Sequence, residues 1–191
     1  MEKLVKQIVQ YIDNECSMNE SEKDILRFGV ESTIELGISL IVSILILWSM
    51  DMILEGMVFF VIFIPVRMLA GGYHSENYFY CLFLSSVTLV IVMILSKYVH
   101  LAKELLVILI LLMELLIGMF GPIVNPERPV TKTEYIMFTK RLAKIFVLVA
   151  FVSIGLSVSK YSELLNVVFL SLCLVLCSSF VGKLKYRRDQ I

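Results

Sequence analysis

The run Met52-Ile53-Leu54-Glu55-Gly56-Met57-Val58-Phe59-Phe60-Val61-Ile62-Phe63-Ile64-Pro65-Val66-Arg67-Met68-Leu69 decides the fold. It is close to the length that crosses about 30 Å of hydrocarbon at about 1.5 Å per helical residue. Similar runs lie on either side, at Thr33–Met50, Tyr78–Val99, Glu104–Phe120, Leu142–Lys160 and Ser162–Val181. Composition agrees. Of 191 residues, 59% are hydrophobic and 18% charged, against about 45–50% and about 25% in an average soluble domain. Mean hydropathy is +0.88. The 17 basic and 17 acidic residues cancel, which excludes a globally basic nucleic-acid binder and an acidic disordered chain. Four cysteines without regular spacing make neither a disulfide framework nor a zinc site. A soluble enzyme is excluded. The pattern predicts an all-α polytopic membrane protein of about six transmembrane helices.

Residues 1–28 read differently. Leu4, Val5, Ile8, Val9 and Ile12 recur at helical spacing with Lys3, Lys6, Gln7, Gln10 and Asp13 between them, the pattern of an amphipathic helix at a membrane interface. Ser17–Asp24 is polar, and Ser21 is a candidate N-cap for a second short helix. The layout of a removable signal peptide is missing. The organisation expected is interfacial helices over 1–28, a six-helix transmembrane domain over 29–182 and a basic tail over 183–191.

Basic residues test the span count. Six spans put Lys3, Lys6, Lys23, Arg27, Arg67, Arg128, Lys132, Lys140, Arg141, Lys144, Lys183, Lys185, Arg187 and Arg188 on one side, leaving Lys97, Lys103 and Lys160 on the other. The split is 14 of 17. Such a bias favours both termini in the cytoplasm.

The stretch Arg67-Met68-Leu69-Ala70-Gly71-Gly72-Tyr73-His74-Ser75-Glu76-Asn77-Tyr78-Phe79-Tyr80-Cys81 carries the candidate chemistry. Gly71-Gly72 reads as a tight turn. A nucleophilic cysteine needs a base, and histidine is its usual partner. Seven residues along one helix would separate His74 from Cys81 by about 10.5 Å, too far for a hydrogen bond of about 2.6–3.2 Å. The pair works only if the glycine turn folds His74 back over the start of the third span. Packing is the commoner role for a membrane cysteine, and spacing alone favours it. Topology nevertheless puts His74 and Cys81 at one depth. His100 falls at the opposite side, Cys173 and Cys177 read as core, and Cys16 is the rival nucleophile.

Glu31, Glu35, Glu55 and Glu114 fall at membrane depth, where a carboxylate needs a partner or a polar cavity. Arg67 is a natural partner, in a polar chamber around His74 or in ion pairs that orient helices. Asn77, Glu31 and Asn125 are equal candidates for a third catalytic member. Prolines make Gly121–Val130 a rigid extended segment. Arg128, Lys132, Lys140, Arg141 and Lys144 then supply topology control and contact with anionic lipid, or a docking surface for an acidic peptide.

Arg67, Ala70-Gly71-Gly72-Tyr73-His74 with Cys81 seven residues on, and Val124-Asn125-Pro126-Glu127-Arg128-Pro129 together resemble the accessory gene regulator protein B (AgrB) family. These are membrane cysteine endopeptidases of Gram-positive quorum sensing, and the resemblance covers nearly the whole chain. It implies a plasma-membrane enzyme that processes an AgrD-like propeptide with an amphipathic leader, a central signal sequence and an acidic tail. Cys81 would attack the signal–tail junction with His74 as base, and an internal thiol or hydroxyl would resolve the acyl-enzyme into a cyclic thiolactone or lactone. A homodimer is implied in the same way. No cofactor, metal or nucleic acid is indicated. A small transporter or channel using the four carboxylates is the alternative reading. A metalloprotease is set aside because two histidines on opposite sides cannot supply its ligands.

Overall fold

The computed structural model describes residues 2–16, 19–71, 78–99, 101–122 and 131–188. Seven α-helices and no strand occur among the described residues: α1 (Glu2–Cys16), α2 (Glu20–Ser49), α3 (Ile53–Ala70), α4 (Tyr78–Tyr98), α5 (Lys103–Phe120), α6 (Lys132–Val158) and α7 (Leu164–Arg188). They form two compact units, Met1–Ser49 and Met50–Ile191.

In the first unit α1 packs on α2 and buries Val5. Lys23 Nζ lies 2.9 Å from Asp13 Oδ2 of α1 and 3.2 Å from Glu20 Oε1. A separate second interfacial helix does not form, because α2 runs unbroken from Glu20 to Ser49. Its cap is Asn19 rather than Ser21. Asn19 Oδ1 accepts the Glu22 backbone N–H at 2.9 Å, and Glu22 Oε2 accepts that of Asn19 at 2.9 Å. This reciprocal box satisfies N–H groups that a helix start leaves orphaned. No proline interrupts the 30 residues that follow. They extend about 45 Å, further than about 30 Å of hydrocarbon requires.

The second unit is built around α7. Leu165, Val168, Leu172 and Val175, spaced three and four apart, form one fully buried face. They meet Ile62, Val66 and Ala70 of α3, Leu106, Ile110 and Ile117 of α5, and Leu142 and Val149 of α6. Helix α4 packs chiefly on α7. Ser153, Ser171 and Ser179 are buried where small side chains let helices approach. The first two donate within their own helices, to the carbonyls of Val149 at 2.8 Å and Val167 at 2.6 Å. Val61, Phe83, Phe151 and Val158 are exposed instead, as a lipid-facing surface allows.

Contacts at the helix ends set the direction of each helix in this unit. Gly71, just past α3, accepts a hydrogen bond on its carbonyl from Ser179 Oγ of α7 at 3.5 Å. The Phe120 and Phe180 rings are 6.4 Å apart, and Lys183 Nζ sits 4.9 Å above Phe120. A Cβ on Gly121 would come within 2.7 Å of Tyr135 Oη near the start of α6. At the opposite end Lys97 Nζ of α4 reaches the carbonyl of Met50 at 3.4 Å. One end therefore gathers the C-termini of α3, α5 and α7 with the N-termini of α4 and α6.

Helices α2, α3, α4, α6 and α7 are each long and apolar enough to cross a membrane. Helix α5 has the length, 18 residues, but carries Lys103, Glu104 and Glu114. Helix α6 begins at Lys132, ten residues before the expected span start at Leu142. Thr131 starts it: its Oγ1 accepts the Glu134 N–H, and Glu134 Oε2 accepts the Thr131 N–H at 2.9 Å. Helix α7 likewise runs past Val181 into the basic tail, to Arg188.

Candidate functional site

Cys81 is in the first turn of α4, a free thiol with a half-buried side chain. At about 100° per residue it flanks the stripe of Leu89, Val92, Met93 and Ser96 that α4 buries. Ser85 and Thr88 share that flank, and their hydroxyls donate to the carbonyls of Leu82 at 3.0 Å and Leu84 at 2.6 Å. Both protons are thus committed. A helix start also presents outward-pointing N–H groups, an arrangement suited to an anion.

Arg67 occupies the last turn of α3, half-buried. The chain leaves that helix at Gly71, whose N–H bonds to the Arg67 carbonyl at 3.1 Å. Gly71 has φ 72° and ψ −167°, a region open essentially to glycine alone. Gly71 thus ends α3, and Ser179 donates to its carbonyl; the rest of the expected Gly71-Gly72 turn lies outside the described residues. Sequence reasoning missed Ser179; the available signal was a small polar residue on an apolar helix. Gly72, His74, Asn77, Asn125, Arg128, His100 and the side chain of Cys16 lie outside the described residues.

Among the expected site residues, the structure brings Arg67, Gly71 and Cys81 to one end of the second unit. Glu31 stands on α2 in the first. Cys173 is half-buried, but Cys177, expected in the core, is exposed. The two do share a face. That face is turned away from the buried Leu172–Val175 seam, since Cys177 follows Val175 by about 200°.

Lys132, Lys140, Arg141 and Lys144 are exposed on α6 at the same end as Cys81. The last three line a shallow groove of about 360 Å³ with Thr133, Ile136 and Met137. This face points away from Leu142 and Val149, the side on which α6 meets the core. Basic residues and cysteine therefore share an end of the bundle but not a face. The two expected carboxylates of the second unit do not align with the cysteine either. Glu55 is in the first turn of α3, at the far end from Arg67. Glu114 is buried on α5 among apolar residues.

Two packed units, helices of membrane-crossing length and bare apolar outer faces define the class: an all-α polytopic membrane protein. The profile of the accessory gene regulator B family matches residues 5–180, nearly the whole chain. The chain belongs to that family, and its role lies in accessory gene regulator quorum-sensing peptide processing. No curated protein and no solved structure matches it.

Proposed function

We propose that this chain is a membrane-embedded cysteine endopeptidase. It removes the acidic C-terminal tail of an AgrD-like propeptide and closes the signal segment into a ring. The observation that carries this reading is the Cys81 thiol, free and half-buried at a helix start, at the bundle end that also bears Arg67 and the basic start of α6.

In this reaction His74 takes the thiol proton, and Cys81 Sγ attacks the carbonyl carbon at the signal–tail junction. The C–N bond breaks, and His74 returns the proton to the departing amine. The thioester left on Cys81 is attacked by a thiol or hydroxyl within the signal segment. The ring closes as a thiolactone or lactone, and Cys81 regains its proton. Cyclisation must outrun hydrolysis. A nucleophile inside the membrane boundary excludes water, and an internal thiol held close supplies high effective concentration. In this reading Gly71 and Gly72 are assigned to positioning His74, Arg67 to supplying a cation, and Glu31, Asn77 and Asn125 are candidates for a third member.

The topology belonging to this reading has six spans, α5 included, and both termini in the cytoplasm of a bacterial plasma membrane. Its support is the 14-of-17 sorting of basic residues. Helix length adds to it. With 30, 27 and 25 residues, α2, α6 and α7 exceed a crossing, and the ends that run past it carry Lys23 and Arg27 on α2, Lys132 on α6, and Lys185 to Arg188 on α7. Those cations are suited to anionic lipid. A homodimer belongs to the family resemblance.

Lys132, Lys140, Arg141 and Lys144 offer the docking surface for the acidic tail, and Arg128 is assigned to the same role by its charge. Neighbouring helix axes lie about 8–10 Å apart, so α4 and α6 across α7 are separated by up to about 20 Å. An extended tail needs about six residues at roughly 3.3 Å each to bridge that distance. The transporter alternative has the weaker support, because within the second unit Glu55 and Glu114 do not form a path.

Co-expression with the propeptide tests the reading through tail release. Cys81→Ala and His74→Ala should each abolish it; continued cleavage by either variant overturns the catalytic assignment. Replacing Lys140, Arg141 and Lys144 with glutamate should impair tail binding, and unchanged processing would remove the docking surface.

A further inference from the structure

A groove lies open between α5 and α6 on the outside of the second unit. Leu111, Glu114, Leu115, Gly118 and Met119 of α5 and Phe146 of α6 line about 410 Å³ of space. Its rim is apolar and outward-facing, with Leu115 61% and Met119 75% exposed. Its polar point is Glu114, only 7% exposed, whose Oε1 has no hydrogen-bond partner among the described residues. A buried carboxylate oxygen of this kind costs free energy until a donor reaches it. Gly118 keeps the groove open: a Cβ there would meet Phe146 Cε2 at an ordinary 3.8 Å, whereas a larger side chain would fill the space.

The depth of the groove narrows the choice of occupant. Glu114 precedes Phe120, the end of α5, by about 9 Å along the axis. This is the bundle end that holds Cys81. Lipid headgroups stay at the boundary above that depth, and acyl chains carry no donor. A second copy presenting the same face about a two-fold axis would set a like carboxyl group and apolar residues against Glu114, with no cation to pair with it. The outward hydroxyls of Thr33, Ser85 and Thr88 already donate to their own helices, to Gly29 at 2.7 Å, Leu82 at 3.0 Å and Leu84 at 2.6 Å. An amphipathic peptide at the interface, in contrast, sinks its apolar face about 5–10 Å. An amine placed within that face would meet the carboxylate in a charge-assisted hydrogen bond.

We infer that the Glu114 groove binds an apolar peptide segment bearing one lysine-type amine, presented by the membrane-bound leader of the propeptide. The inference rests on the peptidase reading above. Its occupant sets the register of the substrate at a distance from the scissile bond, so the groove is a specificity site and not part of the catalytic machinery.

The test uses full-length Cys81→Ala protein in anionic vesicles, with a photo-crosslinker in place of Leu115. Two model amphipathic peptides differ at one apolar-face position, lysine in one and norleucine in the other. The lysine peptide should be captured about tenfold better, equivalent to about 1.4 kcal/mol, and Glu114→Leu should erase the preference. Gly118→Leu should lower capture of both peptides while keeping the carboxylate, and Gly118→Ala should leave capture intact. Equal capture of the two peptides, or a preference that survives Glu114→Leu, overturns the inference. So do adducts formed within the chain or with a second copy at saturating peptide. Tail release is scored separately with the Cys81-containing protein. Release that does not need Cys81 defeats the peptidase reading alone, and loss of lysine preference with Cys81-dependent release intact defeats the groove alone.

Discussion

Helices α2 and α7 have nearly the same hydropathy and opposite surroundings. Their membrane windows average 2.0 and 2.5, yet 50% of the α7 window is buried inside the protein and only 6% of the α2 window. Hydropathy selects residence in lipid, where every apolar face is satisfied equally. Packing selects a face by shape instead. On α7 the Leu165–Val175 seam and the small Ser171 and Ser179 meet neighbouring helices closely. On α2 a Cβ added at Gly29 or Gly37 would meet nothing within 4 Å. Small residues on the two helices therefore do different things, although the composition of the two runs is alike.

The largest expected effect comes from the seam itself. Leu172→Ala should lower stability by about 2–5 kcal/mol through cavity formation, whereas Leu45→Ala on exposed α2 should stay within about 0.5 kcal/mol. Reversible unfolding in mixed micelles measures both; equal losses would break the contrast between the helices. Next come the glycines. Gly121 has φ 67°, so Gly121→Ala should cost about 2 kcal/mol of backbone strain, even after the Tyr135 ring swings clear of the new methyl. Gly37→Ala should be neutral or stabilising by up to about 1 kcal/mol through helix propensity. Opposite signs in the same unfolding assay sharpen the comparison, and matching signs undo it. The smallest effect is at Ser179→Ala. Its bond to the Gly71 carbonyl is long, 3.5 Å, so about 0.5 kcal/mol is expected. A changed carbonyl carbon-13 shift at Gly71 is the readout; an unchanged shift would remove the Ser179 bond to that carbonyl.

Much of the fold was legible in the residues. The apolar runs at Met52–Leu69, Tyr78–Val99 and Glu104–Phe120 became α3, α4 and α5 with ends displaced by one residue. Where the expectation fell short, at α2, α6 and α7, the helix continues into polar sequence. Hydropathy stops at the membrane edge, while hydrogen bonding continues until a cap or a breaker ends it. Asn19 with Glu22, and Thr131 with Glu134, fixed two of those starts. Both are short-range patterns that can be read in a sequence, but only when a helix is already expected there. Of the candidate site, the placement of Cys81 at a helix start and the end of α3 at Gly71 followed from local patterns. The outward exposure of Cys177, the direction of the Lys140–Lys144 face and the isolation of Glu114 did not.

Membrane residence, the approximate helix boundaries and the family were determined by the sequence alone, because they depend on composition, on rise per residue and on motifs within short windows. The tertiary structure decided that α7 is the centre of the second unit, that basic residues and cysteine share an end but not a face, and that Glu114 is buried with its Oε1 unpartnered among the described residues. Helical periodicity states which residues lie together on a face. In a chain apolar on nearly every side, it cannot state which face meets protein and which meets lipid, for that depends on the shapes of the neighbouring helices.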